Sequence, residues 1–510
     1  MKILFLMDSP EYLRFYDSAV EELAARGHQV AIAINNQRVK KPVGLDGLRA
    51  YADRVTVLGV VPERQGVWKE VARGLRATMD FVRFLHPDFV NAPALRARIK
   101  RKVLPRTYHW LDRIRSLPAA TVQRVERALM AAGRAVPVDA AIAGLLREQS
   151  PDVLLVSPLV AAASEQVDWV EAAQVLGLRT AVCVASWDNL TNKGLLRVRP
   201  DRLIVWNEAQ QREAVEYHDI PADRVDITGA QLFDRWFEKR VTRDRAAFCA
   251  RVGLPDDGPF VVFTGSSSFI SETNAEVAFV RRWIEALRAS GDPVLASINV
   301  LVRPHPYNVH RWADDPVADL AGVSVFPRLG YNPVEPGNRD DFFDTLSHCA
   351  AVVGVNTSAM IEAAIVGKPV CSLLAPEFAG TQEGTIHFRH LLPEHGGFLR
   401  IAGSIDQHVG QLAAVLRDPA ATRAETDRFL ASFIRPHGVG RPATPIFGDA
   451  VERLGRATAP PPVRIGLLAY PLRLVLLVAA VPVLLDNRFG DAEKRRKLRK
   501  RVKRYFERAW

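Results

Sequence analysis

Residues 2–7, KILFLM, form a continuous apolar run that stops at Asp8, Ser9 and Pro10. An amphipathic pattern follows, with Tyr16, Val20, Leu23 and Ala24 at helical spacing, and Gly27 stands where a helix C-terminus favours glycine. Apolar runs at 28–34 and 55–61 come next. A strand that is apolar on both faces needs cover on both, which alternation with helices supplies. The opening therefore predicts a parallel, doubly wound α/β sheet.

The same rhythm returns at 152–157, 179–184, 202–206 and 225–228, with helices expected at 164–176 and 208–217. A charged, helical connection spans about 234–257, and a second α/β run begins at 260–264. Further strands are expected at 298–303, 322–326, 351–355 and 369–374, with helices at about 405–417, 419–434 and 446–456 closing that domain. The division is then 1–235 for a first Rossmann-like domain, carrying a helical insertion at about 67–149, and 258–456 for a second. A separate C-terminal segment covers 463–510. At 510 residues the chain has length for two full cores, and its 48% hydrophobic and 25% charged residues exclude disordered and polytopic membrane classes.

Cysteines stand at 183, 249, 349 and 371, far apart and without a CxxC pair, which argues against a disulfide framework or a cysteine zinc site and fits a reducing compartment. The apolar run at the start is too short for a signal peptide, so the protein is expected to begin in the cytosol.

Charge is unevenly placed. Of the formal net charge of +11, about +7 falls in residues 486–510, where eleven Lys/Arg face four Asp/Glu. Just before this tail, residues 465–485 are almost wholly apolar but contain Pro471, Arg473 and Pro482. A simple span would carry the basic tail out of the cytosol, against the positive-inside tendency. A kinked amphipathic helix lying in the interface of an anionic membrane is the expectation, with a helix packed on the protein's own surface as the alternative. Nucleic acid is not expected, because no aromatic residues interleave the basic ones in a way suited to base stacking. A second basic stretch, 95–127, holds Arg96, Arg98, Lys100, Arg101, Lys102, Arg106, Arg113, Arg115, Arg124 and Arg127 among apolar residues. It is either a solvated helix face or a surface turned to membrane or acceptor.

The densest chemistry lies at 350–376, AAVVGVNTSAMIEAAIVGKPVCSLLAP. A strand ends at Gly354, Asn356–Thr357–Ser358 turn the chain, and a helix begins. Thr357 or Ser358 can cap that helix and leave N–H groups facing an anion such as a diphosphate, while Glu362, one turn on, can accept hydrogen bonds from a ribose. The bland alternative is a capped helix with an exposed Glu. Two further loops occupy the same carboxyl edge. Gly265–Ser266–Ser267–Ser268 offers close backbone approach to phosphate, and Arg303 and His305 follow another strand. Neither a Walker A pattern, GxGxxG nor HExxH is present.

This combination resembles the GT-B superfamily of two-Rossmann-domain glycosyltransferases, with relatives among UDP-N-acetylglucosamine 2-epimerases and CDP-glycerol glycerophosphotransferases. The resembling features are ELAARGHQV near the start, RPHP at 303–306 and the S-x-M-I-E-A-A-x-x-G-K-P-V run at 358–370. The likeness spans roughly residues 1–455, and the NTSAM turn departs from the DSGGxQEE pattern of the epimerases. The resemblance implies two domains facing a cleft, the second holding a nucleotide diphosphate donor through Thr357, Ser358 and Glu362, with Gly265, Ser266, Arg303 and His305 nearby.

In the first domain, Ser186–Trp187–Asp188–Asn189–Leu190–Thr191–Asn192–Lys193–Gly194 follows a strand and suits an acceptor loop. Asp188 is the candidate general base on an acceptor hydroxyl, provided its pKa is raised; the alternative is an Asx-type turn. Asp8 is the competing base, or a helix cap. His387 is a catalytic candidate that can stabilise the departing phosphate, or a satisfied structural histidine, and Lys193 can bind phosphate or face water. No catalytic metal and no cofactor are expected, the nucleotide diphosphate sugar being the donor substrate. The reading is a metal-independent, membrane-associated glycosyltransferase at the cytosolic face, acting on a lipid-linked or cell-surface glycan acceptor. Alternatives are a CDP-glycerol-type glycerophosphotransferase or nucleotide-sugar 2-epimerase on the same fold, and a non-enzymatic nucleotide-sugar-binding protein at the membrane.

Overall fold

A computed structural model describes residues 1–35, 46–271, 274–328 and 336–489. The basic cluster at 494–504 lies outside the described residues. Two all-parallel sheets carry the fold. The first runs in the order β3-β2-β1-β4-β5-β6-β7, from β1 (Lys2–Met7), β2 (Gln29–Ile34), β3 (Val55–Val60), β4 (Val153–Ser157), β5 (Arg179–Cys183), β6 (Arg202–Val205) and β7 (Val225–Ile227). The second runs β10-β9-β8-β11-β12-β13, from β8 (Phe260–Thr264), β9 (Asn299–Arg303), β10 (Val323–Val325), β11 (Ala351–Gly354), β12 (Val370–Leu373) and β13 (Arg400–Ala402).

Alternation along each strand fills both faces. Leu4 and Leu6 join one apolar layer with Trp169, while Ile3, Phe5 and Met7 join the other with Tyr16 and Leu23. In the second sheet Val261 and Phe263 pack with Trp283, and Phe260 and Val262 with Phe248. Fully burying side chains of this size stabilises by about 1.5–3 kcal/mol each. All four cysteines are buried and free. Strand order reverses between β1 and β4 in one sheet and between β8 and β11 in the other, so each domain has its switch-point crevice at the strand carboxyl ends.

Two expectations need correction. The strand β13 was not anticipated, because two half-buried residues and one buried alanine give no periodic signal. The helix Ala443–Arg456, expected to close the second domain, packs on the first: Phe447, Ala450, Val451 and Leu454 bury against Tyr16, Leu23 and their neighbours. The return is fixed at Asp234, which accepts from the N–H of Ala443 (3.0 Å) and Thr444 (2.6 Å) and pairs with Arg435 at 2.7 Å. The apolar C-terminal segment is helical over Ala469–Phe489 and rests partly on the protein's own surface, with Leu476, Ala480 and Val483 buried. No helix among the described residues is long and apolar enough to cross a membrane.

Candidate functional site

The loop after β5 is built by buried charge from the helical insertion. Asp80, on the helix Val67–Arg83, accepts from the N–H of Ala163 (2.7 Å) and Leu195 (2.9 Å) and pairs with Arg197. Arg83 donates to the carbonyls of Lys193 (3.1 Å), Gly194 (2.6 Å) and Leu190. Arg98, on the helix Pro93–Lys102, reaches the carbonyl of Asn192 and its Oδ1 at 3.1 Å. A Cβ at Gly194 would overlap the Asp80 carboxylate and Arg197. Gly194→Ala is therefore expected to cost on the order of 3 kcal/mol, as breaking a buried ion pair does, read as a fall in unfolding temperature.

These contacts revise the reading of the 95–127 region. Much of its charge is engaged internally: Arg96 and Lys100 meet Asp112 at 2.9 and 2.6 Å, and Arg127 meets Asp219 at 2.9 Å. Arg98 turns inward, and burial lowers its pKa to about 10.

Asp188 sits in this loop with Asn192 Nδ2 donating to its carboxylate at 2.9 Å, Asn189 Nδ2 at 3.3 Å and Lys193 Nζ at 3.8 Å. Burial pushes its pKa up, but Lys193, His387 and the hydrogen bonds of Ser186 and Asn192 outweigh it and hold the carboxyl well below the usual range. This corrects the expectation of a base with a raised pKa. Asp188 is a fixed anion and a poor proton acceptor at neutral pH.

On the opposite domain, the loop after β8 is held from behind. A Cβ at Gly265 would come within 2.8 Å of the His305 nitrogen, so only glycine allows this approach of the two loops. The Ser266 N–H donates to Glu276 Oε1 at 2.8 Å, and Asn308 Nδ2 donates to the Ser266 carbonyl at 2.8 Å. Arg303, expected near the diphosphate, is engaged within its own domain. Its Nη1 donates to Thr345 Oγ1 at 2.7 Å, and its guanidinium lies over Phe326 and Phe342. His305 is oriented by Tyr307, whose N–H donates to its Nδ1 at 3.2 Å, and burial lowers its pKa to about 4.

After β11, the backbone N–H groups of Thr357 and Ser358 donate to no acceptor among the described residues, and Ser358 is exposed. The helix they open, Ala359–Ile365, has only seven residues, so the N–H groups rather than a long dipole are what it offers an anion. Glu362 lies one turn further on. Burial raises its pKa to about 8, against the pull of Arg14 across the cleft.

Three contacts and one longer-range charge interaction close the domains on each other. Arg14 of the first domain lies close enough to Glu362 and His305 of the second to lower the pKa of each. The guanidinium of Arg98 lies 4.1 Å from the ring centroid of Phe269, just past the Gly265–Ser268 loop. Tyr307 donates to Glu11 at 3.0 Å. His387 stacks edge-on against Trp187 at 4.9 Å beside Asp188.

Asn356 settles the His387 tautomer. Its Nδ2 donates to the Thr381 carbonyl at 2.6 Å and toward His387 Nε2 at 3.3 Å, which places the imidazole proton on Nδ1. That Nδ1 is buried without a protein partner, and burial lowers the His387 pKa to about 4 despite Asp188. The result is a neutral imidazole with an unused donor in the cleft. Asp188, His387, His305, Thr357, Ser358 and Glu362 thus gather where the two domains face each other, with Gly265 against both His305 and Arg303, and the Arg303 side chain tied to Thr345. Sequence reasoning missed Arg14 and Arg98. Arg14 sits in the first turn after β1, at the same carboxyl edge as the other loops, and position alone could have found it. Arg98 carries no such signal.

Several buried groups link stability to pH. Burial raises the carboxyls of Glu126 and Glu362 to about 8 and of Glu171 and Glu276 to about 7. Each is raised above its unfolded value, so its contribution is present at low pH and is lost as pH rises through the folded pKa. Buried His305, His387 and His408, each lowered to about 4, act oppositely, losing stability as pH falls below the unfolded histidine range. Above about pH 6.5 only the carboxyl contribution still changes. The unfolding temperature is expected to fall between about pH 6.5 and 8.5, and Glu126→Gln to flatten that fall.

No family model matches the chain, and no curated protein does. Solved structures similar to it include a UDP-GlcNAc 2-epimerase from Neisseria meningitidis bound to UDP-GlcNAc (12% identity, TM-score 0.49, covering 89% of this chain and 100% of that one). The glycosyltransferase WaaG, involved in lipopolysaccharide biosynthesis, is similar at 13% identity and TM-score 0.46, with 89% and 100% covered. Anabaena HepE in complex with UDP is similar at 14% identity and TM-score 0.47, with 90% and 100% covered. At such low likeness the functional reading rests on this chain's own residues. Its two all-parallel, doubly wound sheets are the two-domain α/β arrangement that the sequence implied.

Proposed function

We propose that the chain is a glycosyltransferase, moving a sugar from a nucleotide diphosphate donor to a lipid-linked or cell-surface glycan acceptor at the cytosolic face of a membrane. The observation that carries this reading is the set of unpartnered groups meeting in the cleft. These are the N–H groups of Thr357 and Ser358, the half-buried Glu362 within electrostatic reach of Arg14, and the buried Nδ1–H of His387. Such groups suit a diphosphate, a ribose and a departing oxygen, and leaving the His387 donor buried and unpaired costs free energy that a ligand recovers.

In this reading the diphosphate lies against Thr357 and Ser358, beside the Gly265–Ser266 wall and below Arg14. Glu362 receives the ribose hydroxyls. His387, neutral at physiological pH, donates from Nδ1 to the oxygen on which negative charge develops, and His305 lines the same edge. Asp188 stays ionised, accepts a hydrogen bond from the acceptor hydroxyl and stabilises positive charge developing at the anomeric carbon; as the bond to the diphosphate oxygen breaks and the bond to the acceptor oxygen forms, the hydroxyl proton passes to the departing diphosphate. The heavily fixed loop 186–197 favours transfer to a bound acceptor over 2-epimerisation, which needs none.

A thermal-shift panel with UDP, GDP, CDP and ADP tests the donor site, and selective stabilisation by one of them is the expected result. No response to any nucleotide would sink the proposal. Charge is handled by Arg14, N–H groups and histidine, so turnover is expected to survive EDTA; loss of activity that added divalent metal restores would overturn the metal-independent form.

A further inference from the structure

The Ala469–Phe489 helix is apolar around its whole circumference, with Arg473 the one charged residue between Ala469 and Leu485. A helix of this kind is ordinarily buried on every side. Here one side only is covered. Leu476 and Ala480 pack on Val71, Ala72, Ala135 and Val136, and Val483 approaches Gly74 to within 3.5 Å of where its Cβ would stand. The other side is open to solvent: Leu474 is 67% exposed, Val478 72%, and Leu467 and Leu468, just before the helix, 84% each. A continuous apolar face of this kind marks an interaction surface.

Its surroundings indicate the partner. Tyr108, from the segment Arg106–Arg113, donates to the Ala479 carbonyl at 3.1 Å and ties that segment to the helix. The same segment exposes Trp110, at 57%, together with Arg106 and Arg113. Arg101 and Lys102 are exposed nearby in the chain, Arg464 is exposed just before the helix, and the basic run at 494–504 follows it in sequence. An apolar strip bordered by tryptophan, tyrosine and cations matches the depth profile of a bilayer surface with anionic headgroups.

We infer that the open face of the Ala469–Phe489 helix, with Trp110 at its edge, lies in the surface of an anionic lipid bilayer, the helix lying flat because its other side is bound to the protein. The helix it rests on, Val67–Arg83, also supplies Asp80 and Arg83 to the loop around Asp188. The insertion therefore connects the bilayer contact to the acceptor side of the cleft. This inference rests on the proposed membrane-borne acceptor but is testable apart from it.

The test is co-sedimentation of the full chain with vesicles of phosphatidylglycerol and phosphatidylethanolamine, and with vesicles of phosphatidylcholine alone. Leu474→Asp/Val478→Asp is run beside it. Both side chains are exposed, so the variant is expected to fold, and nucleotide thermal shift checks that it does. The expected result is binding to the anionic vesicles, at least tenfold weaker binding to the neutral ones, and loss of at least tenfold in the variant with its nucleotide response intact. Equal binding by the variant, or no binding by the natural chain, would overturn the inference. So would a lipid-free dimer that the variant dissociates, since a second copy would then cover the face. Vesicle binding lost in the variant, with no nucleotide response from either protein, would uphold the surface and count against the donor site alone.

Discussion

Glu362→Ala is expected to weaken nucleotide binding by about tenfold to a hundredfold, the range for loss of hydrogen bonds to a charged group. Little change in unfolding temperature at neutral pH should accompany it. The side chain makes no hydrogen bond among the described residues, so its removal breaks no network there. Calorimetry on the natural chain and the variant reads the first effect and a thermal scan the second. A comparable loss of both would show that Glu362 supports the fold rather than the ligand.

The same residue gives the binding a pH signature. Burial raises its pKa to about 8, so the empty site holds it mostly protonated at neutral pH. Ribose hydroxyls donating to the carboxylate stabilise the ionised form, which lowers its pKa in the complex. Binding then releases protons, and affinity rises as pH increases from about 7 to 9. Glu362→Gln keeps the shape and should abolish the slope. Titration in buffers of different ionisation enthalpy detects the proton directly.

The second large effect belongs to Asp188. Asp188→Asn keeps the size of the side chain but removes the fixed negative charge from the cleft. Turnover is expected to fall by about 10²–10³-fold, the scale for losing one electrostatic contact to a transition state, while donor affinity stays within a factor of about two or three. Loss of Asp188 also removes the charge that raises the His387 pKa, so the imidazole stays neutral across a wider pH range. A pH–rate profile that loses a limb in the variant, rather than shifting as a whole, would instead assign proton transfer to Asp188.

The two sheets were legible because strands buried on both faces announce themselves as apolar runs, and the loops at their carboxyl ends were legible because polar residues collect there. Thr357, Ser358, Glu362, Asp188 and His387 were found by that rule. The rule does not give the direction of a side chain. Arg303 is the last residue of β9 and turns toward Thr345 and Phe342, whereas His305, beyond the strand, reaches the cleft edge. The protonation state of Asp188 was illegible for a related reason. It depends on Lys193, Asn192 and His387 at once, and His387 is almost two hundred residues away in the chain. Arg98 acts through contacts with Asn192 and Phe269 that no local pattern encodes.

The return of the Ala443–Arg456 helix to the first domain bears on the order of assembly during synthesis. Domains made first usually complete themselves first, as units, while the remainder of the chain is still being made. Here the apolar patch around Tyr16 and Leu23 waits for Phe447, Val451 and Leu454, which emerge only after the whole second sheet has been synthesised. The domain begun first is completed last. Through that interval its unfinished face must be kept from other chains, and the two halves of the molecule reach their native state as a single folding unit.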